Sequence, residues 1–376
     1  MIPFNKPFLT GKETHYLYQA VQSGKISGDG IFTKKCHDFF EQEFGFPKAL
    51  LTTSCTDALE MASILIDINP GDEVIAPSYT FVSTVNAFVL RGAKIIFVDS
   101  GLDNPNIDVS KIEALITSRT KAIIPVHYAG IACDMDVIMD LAKKYNLYVV
   151  EDAAQAIDSY YNGKALGSIG HLSAFSFHET KNIVAGEGGL LAINEEKFIN
   201  RAEIIREKGT NRSQFFRGEI DKYGWVDIGS SFLPSDIVAA FLFAQLENLN
   251  VIQTKRKLIW NQYNDALQVI QEYGVQLPNI PEFATNNGHM FYLVCNSLEE
   301  RGLLINRLKE NGILSVFHYL SLHKSPFYHD KHDGRDLPNS DRFADCLLRL
   351  PLYYELTPEQ VSLITNVIID FYASSK

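Results

Sequence analysis

The chain has 376 residues, 46% of them hydrophobic and 21% charged, an ordinary globular composition that excludes extensive disorder. Lys and Arg number 34 against 45 Asp and Glu, and a net charge of −11 argues against sequence-independent nucleic-acid binding. At roughly 100–200 residues per domain, the length corresponds to two or three domains.

The opening segment Met1–Lys6 has no basic region followed by an apolar one, so no secretory signal is expected. No uninterrupted apolar run approaches the length of a membrane span, and no membrane association is expected. Five cysteines (Cys36, Cys55, Cys133, Cys295, Cys346) are scattered and never in C-x-x-C spacing. That pattern speaks against a disulfide framework or a zinc site and for reduced thiols in the cytoplasm.

From about Lys48, short β-rich runs alternate with helical patterns. Ala49–Leu51 reads as a strand, Thr56–Asp67 as a helix, Glu73–Ala76 as a strand and Thr80–Leu90 as a helix. Ile95–Asp99, Ala122–Val126 and Leu147–Asp152 read as buried strands, with a helix over Met135–Tyr145. This order implies an α/β fold with a largely parallel sheet covered by helices on both faces. Leu172–Phe177 and Gly189–Ile193 are strands joined by a Gly-rich turn without a full helix. A helical stretch follows Pro234 to about Leu249, and a smaller α+β pattern ends in a helix near Glu359–Tyr372. The expected domains are therefore residues 1–248 and 249–376.

Several motifs are absent: there is no G-x-x-x-x-G-K-[ST], no H-E-x-x-H, and no G-x-G-x-x-G after a strand. The chemistry-bearing residues fall instead at the carboxyl ends of strands, where open α/β sheets bind ligands. Ser54-Cys55-Thr56 ends one strand and opens a helix. Its hydroxyls and free N–H groups suit a phosphate, although taken alone the motif reads first as a plain N-cap, Ser54 or Thr56. Glu151-Asp152-Ala153-Ala154-Gln155 closes another strand, placing a carboxylate to pair with a protonated ring nitrogen or to cap a helix. Ser176-Phe177-His178-Glu179-Thr180-Lys181-Asn182 precedes Gly186-Glu187-Gly188-Gly189. A free lysine with a pKa of about 10.4 is a poor nucleophile at neutral pH. As a Schiff base with an aldehyde cofactor it becomes a tether and a proton shuttle. For Lys181 taken alone, a surface-turn lysine is the commoner case.

A phosphate cradle, a ring-nitrogen carboxylate and a lysine in this order describe a pyridoxal phosphate site. With Pro77–Phe81, Val126–Gly130 and Pro351-Leu352-Tyr353, they make the chain resemble the DegT/DnrJ/StrS sugar aminotransferases nearly end to end. The resemblance implies fold type I architecture, with a large, mostly parallel seven-stranded sheet domain and a smaller C-terminal α+β domain. It implies that Lys181 forms the Schiff base, that Asp152 keeps the pyridine nitrogen protonated and that Gln155 lies near the phenolic oxygen. It places Ser176 and Ser54-Cys55-Thr56 at the phosphate, and Phe81 either stacked on the ring or in helix core. His178 and His323 stand where the family has histidines near the substrate, His323 being equally a satisfied loop residue. Family members carry Gly-x-Asn-x-Arg before the long helix, the Asn reaching the phosphate of the neighbouring subunit's cofactor. Here Gly229-Ser230-Ser231-Phe232-Leu233 puts Ser231 at that position, with a shorter reach.

The segment Arg206–Gly218 resembles the subgroup that forms dTDP-4-amino-4,6-dideoxygalactose for enterobacterial common antigen. Residues 206–217 hold Arg206, Lys208, Arg212 and Arg217 against one acid, Glu207. That cluster is either a solvated basic loop or a partner for the diphosphate of a nucleotide sugar, with Arg212 the residue expected to touch it. The resemblance further implies L-glutamate as amino donor, a dTDP-4-keto-6-deoxy sugar as acceptor and a homodimer with shared active sites. Two rival readings use the same scaffold. Dehydratase relatives that use pyridoxamine phosphate carry histidine at the lysine position, which Lys181 argues against. A non-catalytic nucleotide-sugar sensor has no need of the Asp152–Lys181 pair.

Overall fold

The computed structural model describes residues 1–374. Two helices, α1 (Glu13–Gln22) and α2 (Ile31–Phe44), precede the alternating region. The chain then runs through β1 (Lys48–Thr52), α3 (Cys55–Leu65), β2 (Glu73–Pro77), α4 (Ser83–Val89), β3 (Lys94–Val98) and β4 (Thr120–Ile123). There follow α5 (Met135–Tyr145), β5 (Tyr148–Asp152), a small hairpin of β6 (Tyr160–Tyr161) and β7 (Lys164–Ala165), then β8 (Leu172–Ser176) and β9 (Gly189–Ile193).

Seven of these strands form one sheet in the order β1-β9-β8-β5-β4-β2-β3. β9 runs antiparallel to both β1 and β8, while every other pairing is parallel. The reason is local. The β8–β9 connection contains no helix, so the chain turns straight back, whereas a parallel neighbour needs a crossover. Successive side chains on a strand face opposite sides. Leu51 and Val149 therefore join a core with Phe40, Ile138 and Ala239, while Leu50 and Val150 join another with Leu59, Phe88 and Ala202. Both sheet faces are covered by helices, as a parallel sheet requires.

The remaining elements are α6 (Ile199–Arg206), α7 (Arg212–Phe216), α8 (Asp236–Leu246), α9 (Leu249–Leu267), β10 (Phe291–Val294), α10 (Leu298–Glu310), α11 (Pro338–Cys346), β11 (Leu347–Leu350) and α12 (Pro358–Ala373). The helical stretch after Pro234 does not stop at Leu249; α8 ends and the chain bends by 61° into the next helix. α9 spans two cores. Leu249 and Ile252 pack under the seven-stranded sheet, whereas Ile259, Trp260, Tyr263 and Leu267 pack with Phe291, Leu348, Ile364 and Ile368 in a C-terminal core. Ile2 also lies in that C-terminal core, its N–H donating to Gly312 O at 2.7 Å. Among the described residues no single helix is long and apolar enough to cross a membrane.

Candidate active site

A cavity of about 610 Å³ opens where β5, β8 and the start of α3 meet residues of the C-terminal layer. Asp152, the last residue of β5, is buried and reaches its wall. Its Oδ2 accepts the Thr84 hydroxyl at 2.6 Å and its Oδ1 accepts the Ala154 N–H at 3.2 Å. Thr80 Oγ1 lies 2.8 Å from Thr84 Oγ1; with the Thr84 proton committed to Asp152, Thr80 must be the donor. Burial raises the Asp152 pKa, opposed by the Thr84 bond, the Ala154 N–H and the charge of Lys181. The carboxylate is thus oriented and primed to pair with a cation.

Beneath it, Glu151 points to the opposite side of the strand. Its carboxylate accepts the N–H groups of Gly167, Ile169 and Gly170 at 2.8, 2.9 and 2.5 Å, and lies 2.9 Å from His127 Nε2. Both His127 and Glu151 are fully buried. This pair anchors the end of β5 and does not line the cavity.

Lys181 sits on the β8–β9 loop. That loop is closed by Phe177 N–H to Gly188 O at 2.8 Å and Ala185 N–H to Phe177 O at 2.7 Å, and pinned from below by buried Ile183 and Val184. A short, pinned loop aims the lysine into the cavity. Burial pulls the Lys181 pKa below its ordinary value, with Cys55 and Asp152 pulling it back up and Arg349 pushing it further down. A larger fraction of neutral amine, the nucleophilic form, is the consequence.

The phosphate-type corner is the start of α3. Ser54 is the N-cap, its Oγ accepting the Asp57 N–H at 3.0 Å, so the capping role assigned to it as an alternative is real. The N–H groups of Cys55 and Thr56 open the helix and have no intrahelical acceptor. They are the groups that would hold an anion there. Gly189 permits the arrangement, because a Cβ on it would lie 2.3 Å from the Ser54 carbonyl carbon and 2.4 Å from the Cys55 nitrogen. Ser176, at the end of β8, completes this side of the cavity.

A model of the DegT/DnrJ/EryC1/StrS aminotransferase family matches residues 7–369. The chain belongs to this family. It is 33% identical over 375 residues to a protein of Methanocaldococcus jannaschii, covering 98% of this chain and 96% of that one. It is 31% identical over 382 residues to the spore coat polysaccharide biosynthesis protein SpsC of Bacillus subtilis, with 98% and 96% covered. The aminotransferase TlmJ of Streptoalloteichus hindustanus superposes with a TM-score of 0.91 at 26% identity over 100% of both chains, and the PMP form of Spr1654 of Streptococcus pneumoniae with a TM-score of 0.92 at 27% identity over 100% of both chains. The seven-stranded sheet with its single antiparallel strand is therefore the fold type I architecture that the resemblance implies.

In this aminotransferase, the cavity brings together Ser54, Cys55, Thr56, Phe81, Asp152, Gln155, Ser176, His178 and Lys181. Phe81 is 55% exposed at the cavity mouth rather than in helix core, because α4 begins only at Ser83. Gln155 is buried, accepting the Ala129 N–H at 2.6 Å and donating to the Tyr319 hydroxyl at 3.0 Å. His178 is half-buried, with Nδ1 2.9 Å from Thr180 Oγ1. Three expected residues lie elsewhere. His323 is buried behind the wall, its Nδ1 2.7 Å from Ser78 Oγ, the satisfied loop histidine of the alternative reading. Arg212 is exposed on α7, 3.9 Å from Glu207 and stacked over Phe216. Ser231 is exposed and bridges to Glu207.

The structure also brings to the cavity residues with no motif of their own: Tyr319, His318, His289 and Arg349. His289 Nδ1 lies 2.8 Å from Asn182 Oδ1. Asn182 Nδ2 donates to both Gln253 Oε1 and Asn287 O at 2.9 Å, so Oδ1 must be the acceptor and His289 Nδ1 the donor. Burial, with the charges of Lys181, Arg256 and Arg349, holds the His289 pKa well below the usual histidine range. The imidazole is neutral and its Nε2 carries a lone pair. These residues come from segments 289–349, remote in sequence from Lys181, and only the fold joins them to it.

Proposed function

We propose that this enzyme moves the amino group of L-glutamate to C4 of dTDP-4-dehydro-6-deoxy-D-glucose, giving dTDP-4-amino-4,6-dideoxy-D-galactose, with pyridoxal 5'-phosphate as cofactor. The observation that carries the reading is the meeting of Lys181 and Asp152 in one enclosed cavity beside a helix N-terminus. The residues fit the cofactor on three counts: two free N–H groups at the start of α3 for its phosphate, an oriented carboxylate for its ring nitrogen, and a lysine of lowered pKa for its aldehyde.

When bound, the cofactor supplies an electron sink that makes loss of the donor's α-proton accessible. The chain does the rest. Asp152, its orientation fixed by Thr84 and Ala154, would hold a proton on the ring nitrogen. Gln155, itself held by Ala129 and Tyr319, would lie against the cofactor as part of the same wall. With the donor in place, Lys181 Nζ is the group that would take the proton from the donor's Cα and, in the second half-reaction, deliver one to C4 of the sugar.

The sugar assignment is supported by the resemblance of Arg206–Gly218 to the subgroup acting on this substrate in enterobacterial common antigen formation. The involvement of the similar SpsC in spore coat polysaccharide biosynthesis also points to a sugar acceptor. The reading includes a cytoplasmic homodimer of two-domain subunits, divided near residue 248. The five cysteines are free. Phe216, Trp225 and Val226 are 69%, 84% and 54% exposed beside Arg212, and this apolar surface suits a second copy that would carry Arg212 toward the neighbouring cavity.

The test is spectroscopic. Protein purified with pyridoxal phosphate should show the visible band of the lysine-bound cofactor. L-glutamate should bleach the band and dTDP-4-dehydro-6-deoxyglucose should restore it, with NMR of the product giving the galacto configuration. A band that glutamate bleaches and this sugar leaves bleached rejects the sugar; a gluco product rejects the stereochemistry.

A further inference from the structure

Two arginines lie near the C-terminal end of the site, Arg256 buried and Arg349 half-buried, and their hydrogen bonding differs. Arg256 is fully engaged: Nε donates to Gly288 O at 3.1 Å, and Nη2 to His289 O at 2.8 Å and Leu352 O at 3.4 Å. Arg349, on β11, faces the cavity. Its Nε is buried without any acceptor, and Nη2 donates only to Phe317 O at 3.2 Å. Among the described residues no acidic side chain pairs with it; the groups that favour its charge are the phenols of Tyr128, Tyr319 and Tyr79.

A guanidinium whose Nε is buried with neither an acceptor nor a counter-ion is costly. The protein nevertheless holds this one in place. The Arg349 backbone pairs with Val316 in both directions, N–H to Val316 O at 2.8 Å and O from Val316 N–H at 3.2 Å. The Phe4 ring lies 4.8 Å from its guanidinium carbon. A fixed fork of donors with no protein anion is a preformed receptor for an anionic ligand.

Three anions visit this site under the reading above, on which this inference rests. The cofactor phosphate is already provided for by the start of α3. The diphosphate of the sugar nucleotide is attached through C1, several bonds from the reacting C4. The donor's α-carboxylate is bonded to the very carbon that gives up its proton to Lys181, and Arg349 and Lys181 line the same cavity. We infer that Arg349 binds the α-carboxylate of the amino donor and thereby selects an α-amino acid over a simple amine.

The test compares wild type, Arg349→Gln and Arg349→Lys, each loaded with pyridoxal phosphate. The visible band should persist in all three, because Arg349 is not the tether. The KM for L-glutamate in Arg349→Gln should rise on the order of 100-fold, while the KM for the sugar should change by less than about 3-fold. Arg349→Lys, which keeps the charge without the fork, should fall between. Calorimetric binding of glutarate, an unreactive dicarboxylate, should weaken in parallel without any turnover. Unchanged glutarate affinity in Arg349→Gln, or a rise in sugar KM with glutamate KM unmoved, overturns the assignment. A wild type without the visible band sinks the cofactor reading itself, and the carboxylate subsite with it.

Discussion

On the wall built from β5, α4 and the β8–β9 loop, the polar groups are held by partners inside the protein. Thr80 holds Thr84, Thr84 holds Asp152, and the loop bonds hold Lys181. On the wall built from residues 289–349, Arg349 has a donor without an acceptor and His289 presents a bare lone pair. The first wall has its chemistry assembled before any ligand arrives. The second has binding capacity left over. An aminotransferase must keep one cofactor and exchange two different substrates, so this division of labour is what the chemistry asks for: fixed groups for the resident ring, unsatisfied ones for what comes and goes.

The sharpest break of that comparison is at Lys181. Lys181→Ala should lower turnover by more than about 10⁴-fold and abolish the visible band while leaving the melting temperature of the apoprotein nearly unchanged. The sign of the pH effect follows from the direction of the shift. Burial lowers the Lys181 pKa, so its neutral amine is populated at lower pH than for an exposed lysine, and capture of pyridoxal phosphate should reach half its maximal rate below pH 10.5. A midpoint at or above that value would contradict the desolvated lysine.

Glu151 tests the foundation of the same wall rather than its chemistry. Glu151→Ala leaves His127 and three N–H groups without their acceptor and should cost about 3–5 kcal/mol of stability. Burial raises the Glu151 pKa, but the His127 bond and charge and the Gly170 and Gly167 N–H groups bring it below the ordinary value of 4.5. A depressed carboxylate contributes stability above its unfolded pKa and loses it as pH falls through the folded one. Melting temperature should therefore fall as the solution is acidified below pH 4.5, less steeply in Glu151→Gln than in wild type.

Thr84 separates orientation from charge. Thr84→Val removes the bond to Asp152 but keeps the carboxylate, and should lower kcat about 10-fold with little change in either KM. Rescue by Thr84→Ser, together with a visible band restored to the wild-type position, would mark Thr84 as a positioning residue for Asp152.

The first wall was legible in the sequence because each of its parts is local. Ser54–Thr56, Glu151–Gln155 and Ser176–Lys181 are short runs at strand ends, where alternation of β and α patterns already says a ligand site lies. Even Thr84 sits in a segment read as helical, three residues after Phe81. The second wall had no such signature: His289 precedes β10 and Arg349 lies on β11, and only the antiparallel pairing of these short strands, with Arg349 opposite Tyr292, brings the two segments together. His323 shows the converse. A histidine in a loop resembled a substrate contact, but the turn after Ser321 folds it inward onto Ser78. The 61° bend after α8 was likewise unreadable, since Leu246 and Leu249 continue the apolar pattern without any proline or glycine between them.

Arg212 sharpens the comparison where the expected effect is smallest. It is 47% exposed, its nearest carboxylate is Glu207 at 3.9 Å, and it does not reach its own cavity. An exposed guanidinium contributes little within one subunit. If a second copy carries it to the neighbouring cavity, its partner is the sugar's diphosphate, the anion that neither α3 nor Arg349 provides for. Arg212→Ala should then raise the KM for the nucleotide sugar about 5–10-fold and leave the KM for L-glutamate unchanged, the mirror image of Arg349→Gln. Trp225→Asp, which charges the exposed apolar surface, should give the same rise only if it also produces monomers by light scattering. A monomer with wild-type sugar KM would show that each cavity is complete within one chain, and would return the basic segment to a solvated loop.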